Sequence, residues 1–305
     1  MAVLTGINIL GEITVQERTE NKMDIREISA EEITQAVKKL FMDCNYYIGE
    51  DISQAIENAQ KNEELQIAKD VLQQLIDNNR IAAEEQIPLC QDTGMAVLFV
   101  EYGDKVVVKD GSFKAAVEEG VRRAYIDGYL RKSVVTDPVF DRKNTKDNTP
   151  AVIHTEIVEG DKIHIVAGGK GFGSENMSAI KMLTPSAGVE GVKKFVLDTV
   201  THAGPNPCPP MVVGVGIGGT FEKAAQLAKR ATLRPINTSN PDERYASLEE
   251  ELLTEINKMN IGPAGLGGKT SALGLNIETY PTHIAGMPVA VNICCHAARH
   301  KEVTI

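Results

Sequence analysis

No stretch of the 305-residue chain approaches the roughly 18–20 consecutive apolar residues that a membrane-spanning helix needs, and no internal repeat, low-complexity tract or flexible linker interrupts it. An excess of basic residues is also missing. Lys and Arg number 32 against 42 Asp and Glu, a formal charge of −10. That argues against nucleic acid as the main partner, because phosphate binding gathers Lys and Arg in excess on one face. The first residues, MAVLTGINILGEITVQERTENKMDIREIS, have neither a basic start nor a long apolar core and make a poor signal peptide. Their acidity weighs against an organellar transit peptide as well. The expectation is a cytoplasmic protein with no nucleic-acid and no membrane partner. An even cysteine count is absent too: there are five, Cys44, Cys90, Cys208, Cys294 and Cys295. In a long chain with no sign of secretion, a disulfide framework is not expected.

What is present is ordinary globular composition, 42% hydrophobic and 24% charged, at a length that supports a sizeable core. Residues 1–22 read as an N-terminal extension, since Met23-Asp24-Ile25 resembles a fresh start. Residues 23–305 read as one domain, with a helical layer over 23–86 and an α/β part over 87–305. Ser29-Ala30-Glu31-Glu32 fits a capping box. Ile33, Val37, Leu40, Phe41 and Cys44 follow at helical spacing, which places Cys44 in a core. Further helices are expected near 52–60 and 64–85. From Pro88 onward short apolar runs (96–100, 151–158, 162–166, 211–217, 289–294) alternate with helical patterns (113–129, 188–203, 220–231, 247–259). Strands interleaved with helices indicate an α/β class with mixed sheets and flanking helices.

Three cysteines stand at strand ends beside residues that force loop geometry. Cys90 lies in PLCQDTG, Cys208 in GPNPCPP just before an apolar strand, and Cys295 directly after the run AVNIC. Strand ends are where chains converge to build sites. The three are far apart in sequence, so no local metal knuckle exists. Spacing alone leaves open both a shared metal site and a set of small buried hydrophobes.

The blocks CQDTG at 90–94, NPCPPMVVGVGIGGT at 206–220, GPAGLGGKTSALG at 262–274 and CHAARH at 295–300 occur in one order and spacing. Together they resemble the α-subunit of the two-subunit iron–sulfur fumarate hydratases, the class I fumarases, a family that also contains L-tartrate dehydratase. The resemblance extends over about residues 23–305. It implies a [4Fe–4S] cluster held by only three thiolates, Cys90, Cys208 and Cys295. Cys294 is the alternative within the doublet, but the family block sets the ligand immediately before the position of His296. Three ligands on four irons leave one iron open as a Lewis acid for a substrate carboxylate and hydroxyl. The implied activity is reversible hydration of fumarate to (S)-malate, a tricarboxylic acid cycle reaction, with L-tartrate dehydration as its neighbour.

By the same resemblance Asp92 is the acid/base group at the hydroxyl and Gln91 hydrogen-bonds the substrate. The plainer reading of Asp92 is an Asx turn before Gly94. Arg131 matches an arginine that grips a substrate carboxylate, a task suited to a planar guanidinium. In GGKGFGS at 168–174, a tight turn, Gly171 and Gly173 line the site, although Phe172 stands where relatives often carry glycine. His283 matches a histidine that reaches a site near a subunit interface, and His296, Arg299 and His300 are candidate supports for the cluster. The second acid/base group and further cations lie in a C-terminal domain of the fused relatives. Here the chain stops after the third cluster block, so a separate β-subunit and an α₂β₂ assembly are implied. Gly214–Gly219 formally fits a dinucleotide fingerprint, but its glycines begin inside the strand pattern and are expected to let strand and helix pack closely. A non-catalytic iron–sulfur protein would require a fourth thiolate from Cys44 or Cys294.

Overall fold

The structure is a computed structural model that describes residues 25–305 in full and, before them, only the backbone of 3–7 and 13–16. The extension expected over 1–22 therefore lies largely outside the described residues. Strand β1 (Val3–Ile7) pairs antiparallel with β2 (Ile13–Gln16). Then β3 (Arg26–Ile28) leads into three helices, α1 (Ala30–Tyr46), α2 (Glu50–Asn62) and α3 (Gln66–Glu85). The Ser29 hydroxyl accepts the Glu32 backbone N–H at 3.1 Å, as the capping pattern predicts.

Two four-stranded mixed sheets follow. The first contains β4 (Met95–Gly103), β6 (Val152–Val158), β7 (Ile163–Lys170) and the C-terminal β12 (His300–Thr304), in the order β12-β7-β4-β6. The second contains β8 (Ala179–Leu183), β9 (Met211–Gly218), β10 (Ala272–Tyr280) and β11 (Met287–Cys294), in the order β10-β9-β11-β8. A short β5 (Val106–Val108) pairs with β3. The remaining helices are α4 (Phe113–Asp127), the single turn α5 (Phe172–Glu175), α6 (Gly188–Ala203), α7 (Phe221–Ala231) and α8 (Glu243–Lys258). The fold is α/β, and no helix of the described residues is long and apolar enough to cross a membrane.

Each sheet has its own core. Phe41, Cys44 and Tyr125, from α1 and α4, pack with Leu98, Ile163 and Ile165 of the first sheet. Val196 of α6 and Leu252 and Ile256 of α8 pack with Val213, Ile277 and Ile293 of the second. A third cluster lies at the end of the second sheet and the crossing segment: Ile52, Ile56 and Leu72 of α2 and α3 cover Val212, Cys294 and Ala298. Only residues 295–299 separate β11, in one sheet, from β12, in the other. The helical third of the chain thus caps a seam between the sheets.

Several expectations are revised. Gly168–Lys170 are not part of a turn. They end β7, with Lys170 opposite Met95, and the chain turns only at Gly171. Helix α8 starts four residues earlier than its apolar pattern suggests, because Asp242 caps it by accepting from Arg244 N–H. Strands β10 and β12 have no counterpart in the sequence reading. In β9, a Cβ added to Gly214 or Gly216 would lie 2.2 or 2.1 Å from the Ala228 or Ala224 carbonyl oxygen. Helix α7 packs directly on the strand backbone, which accounts for the glycine run.

Candidate active site

Pairing register brings the motif blocks to one place. In the first sheet β4 begins opposite the end of β7, and β12 begins with His300 opposite Gly168. In the second, β9 and β10 begin together, Met211 beside Ala272, and Val212 faces Cys294 at the end of β11. The chain segments carrying Cys90, Asp92, Gly171, Cys208 and Cys295 therefore all leave the sheets at the seam.

The three predicted ligand cysteines meet there. The His296 backbone N–H donates to the Cys208 carbonyl at 3.4 Å. Cys90 and Cys295 pack on the same small cluster of Ala82, Leu89 and Ala297. Burial pushes the Cys208 thiol up, and charge on Cys295 and Cys90 pushes it further. Burial likewise raises Cys90. Cys295 favours the thiolate beside its neighbour Cys294, with His296, Arg299 and Lys170 adding positive potential. Cys294 is pushed up in turn and lies 6% exposed in the third cluster. Mutual repulsion of three thiolates is what a bound cationic centre relieves.

Three cysteine sulfurs are donors of the kind an iron–sulfur cluster uses. Among the described residues no three His, Cys, Asp or Glu side chains lie close enough to share one metal ion. In a cluster each thiolate binds a different iron, so the thiolates stand apart. Cys208 is exposed and holds φ +54°, a left-handed conformation that a non-glycine residue rarely adopts and that clusters at functional sites.

Asp92 is both a turn residue and a site residue. One carboxylate oxygen accepts Gly94 N–H at 3.0 Å, the predicted Asx turn, and the other accepts Phe172 N–H at 2.9 Å. Gly94 is required: its φ is +78°, and a Cβ would lie 2.6 Å from the Gly169 backbone. Tyr125 donates its hydroxyl to the Gly94 carbonyl at 2.8 Å, and burial raises its phenol, so it remains a neutral donor. The Thr93 hydroxyl donates to the Arg131 carbonyl at 3.1 Å. Asn148 donates to the Gly94 carbonyl at 3.2 Å and accepts Ser133 N–H at 2.7 Å. Turn, Arg131 and the strap 133–148 form one hydrogen-bonded unit. Tyr125→Phe is expected to cost about 1–2 kcal/mol of stability, read from denaturant midpoints. It should also loosen the Asp92 turn, read as faster amide exchange at Gly94.

A cleft of about 510 Å³ opens beside this unit, lined by Asp92, Gly94, Arg131, Ser133, Arg142 and Phe172. A larger cavity of about 590 Å³ lies elsewhere, against Asp51, Arg234 and His300, and holds none of the predicted catalytic or substrate residues. Chemistry, not size, selects the smaller one. Gln91 is exposed beside Cys90, whose thiol donates to its side-chain carbonyl at 3.5 Å. A Cβ on Gly171 would sit 3.2 Å from the Asp92 carboxylate, and one on Gly173 would meet nothing within 4 Å. Gly171 is buried against Asp92, whereas Gly173 is exposed.

His283 is not brought to the seam. It is exposed in the loop between β10 and β11, its Nδ1 accepting Ala285 N–H at 3.2 Å. The eight residues of β11 separate that loop from Cys294, roughly 25 Å of extended chain.

Two features escape sequence reasoning. Arg142 joins the cleft from a strap whose basic residues look like ordinary solvated charge. Lys170, 4% exposed, donates to the Gly171 carbonyl and the Ser174 hydroxyl, each at 2.9 Å, and faces Glu175 at 3.2 Å. Glu175 also pairs with Lys229 and accepts from Asn292 at 3.0 Å. Burial alone would raise the Glu175 carboxyl, but the two lysines hold it low. This buried network fixes the Gly171 turn against Asp92.

Residues 34–304 match the family model described as Fumarate hydratase (Fumerase). A Methanocaldococcus jannaschii protein named "Putative L(+)-tartrate dehydratase subunit alpha" is 44% identical over 273 residues, covering 88% of this chain and 95% of that protein. The L(+)-tartrate dehydratase subunit alpha of Escherichia coli O157:H7 is 34% identical, covering 84% and 85% respectively. That of Escherichia coli K12 is 33% identical over the same shares.

Proposed function

Because the chain belongs to the iron–sulfur fumarate hydratase family, which also contains the α-subunits of L(+)-tartrate dehydratase, we propose that it is the α-subunit of a hydro-lyase that reversibly hydrates fumarate to (S)-malate. One observation supports this above others: Cys90, Cys208 and Cys295 converge at the same seam as the Asp92–Arg131 cleft. Bound by those three thiolates, a [4Fe–4S] cluster supplies an iron without a protein ligand, a Lewis acid for the substrate oxygens.

The chain's own residues supply the rest of this half-site. Asp92, already oriented by two backbone N–H groups, gives and takes the proton at the hydroxyl oxygen. Arg131 presents its guanidinium to one carboxylate, with Gln91 and the backbone at Gly171 and Gly173 completing the contacts. Arg131→Ala is expected to raise KM by about 10–100-fold with a smaller effect on kcat, the loss of one charge-assisted contact, measured by steady-state hydration kinetics. The relatives' designation as α-subunits supports a β-subunit partner; in the proposal it supplies the group acting on the C3 proton and further cations, in an α₂β₂ assembly. Residues 23–305 form the single folding unit of the cytoplasmic α chain.

A second reading, dehydration of L-tartrate, is favoured by the names of the relatives. The test is the complex with its β-subunit, purified without oxygen and assayed with fumarate, (S)-malate and L-tartrate. A higher kcat/KM for fumarate supports the first reading, and a higher value for tartrate replaces it with the second. A loaded complex that turns over none of them overturns both.

A further inference from the structure

Arg299 sits in the segment that crosses between the sheets and is 3% exposed. Its Nη1 donates to Asn45 Oδ1 at 3.1 Å, and Asn45 is itself wholly buried and fastened to the Phe41 carbonyl at 2.8 Å. Its Nε–H is buried with no partner. No carboxylate pairs with the guanidinium among the described residues. The groups that its charge reaches are the thiols of Cys295, Cys90 and Cys44 and the Tyr125 hydroxyl. On its other side Nη2 lies 3.6 Å from the point where Gly171 would carry a Cβ, a point 3.2 Å from the Asp92 carboxylate.

A buried cation with an unspent donor and no counter-ion is costly to fold around. Ion pairing does not offset that cost in the empty chain. The compensation arises when the three cysteines are thiolates on a cluster, because the centre then carries negative charge beside the guanidinium. We propose that Arg299 is the built-in counter-charge of the cluster site, a positioning residue that stabilises the loaded state and raises the reduction potential of the centre. The proposal rests on the cluster reading above. A fixed positive charge favours the more negative, reduced centre, so its removal lowers the potential. Asn45 holds the guanidinium in place from α1, and Lys170 adds a weaker field from the β7 side.

The test compares wild type with Arg299→Gln and Arg299→Lys, each with its β-subunit, reconstituted with iron and sulfide under anaerobic conditions. In the loaded state Arg299→Gln should show a lower midpoint potential and lose iron to a chelator about 10–100-fold faster, with Arg299→Lys restoring most of both. In the iron-free state the signs differ: Arg299→Gln should melt at the wild-type temperature or above, since the unpaired buried charge is gone. An unchanged potential in loaded Arg299→Gln overturns the proposal. Equal destabilisation of the empty and loaded proteins also overturns it, because that is a merely structural role. A wild-type chain that takes up no iron overturns the cluster reading itself.

Discussion

Asp92→Asn lowers kcat of the reconstituted enzyme by about 10²–10⁴-fold while leaving iron content and visible absorption unchanged, the range expected for loss of one positioned acid/base group. The expectation rests on what asparagine preserves. Each carboxylate oxygen of Asp92 accepts one backbone N–H, from Gly94 and from Phe172. The single carbonyl oxygen of asparagine keeps one of these bonds, so the turn loses about 0.5–1.5 kcal/mol and the fold survives. The Tyr125 and Asn148 bonds to the Gly94 carbonyl hold the turn from behind in either case. A large fall in kcat with intact iron therefore reports proton transfer and not collapse of the site. If kcat is retained, Asp92 is only the Asx-turn residue that its local sequence also describes. Asp92→Glu separates the two further: it keeps the acid but moves it by one methylene, and should recover only part of the rate.

Local strings carried much of this site in the sequence. CQDTG and NPCPP each combine a cysteine with residues that force a turn, and the structure places both at strand starts, before β4 and β9. The seam that makes them one site was not legible, because it depends on pairings between distant segments. Arg299 and Asn45, its hydrogen-bond partner, are 254 residues apart. Lys229 and Glu175 are 54 apart, and neither was singled out, since a residue's letter does not reveal its burial. Glycines were legible at one place and misleading at another. Those at 168 and 169 suggested a turn but pair within a sheet, whereas those at 214 and 216, expected to let strand and helix pack closely, are contact points for α7. Strand β12, HKEVT, is a half-exposed edge that only its pairing with β7 defines.

The largest effects are expected at the cysteines, and Cys208 gives the cleanest experiment. Cys208 is exposed in a loop, so Cys208→Ser removes little packing and should leave the iron-free melting temperature within about 0.5 kcal/mol equivalent of wild type. Serine is a poor ligand for iron at neutral pH, because its hydroxyl must lose a proton that a thiol gives up far more readily. Cys208→Ser, Cys90→Ser and Cys295→Ser should therefore each lose the cluster absorption and bring hydration to background. Cys44 and Cys294 should behave differently. Burial pushes the Cys44 thiol up to about 11, and its sulfur donates to the Phe41 carbonyl at 3.5 Å, so it is a core thiol at any working pH. Cys44→Ala should retain the absorption while losing about 1–2 kcal/mol of stability. Cys294→Ser should also retain the absorption, with some loss of stability from placing a hydroxyl against Val212 and Ala298. The contrast that decides the ligand set is Cys294→Ser against Cys295→Ser under identical loading. Loss of colour in the first and retention in the second would move the third ligand by one residue. Loss in Cys44→Ala or Cys294→Ser as well as in the three ligand variants would require a fourth protein thiolate, and with it an electron-transfer centre that has no open iron for substrate.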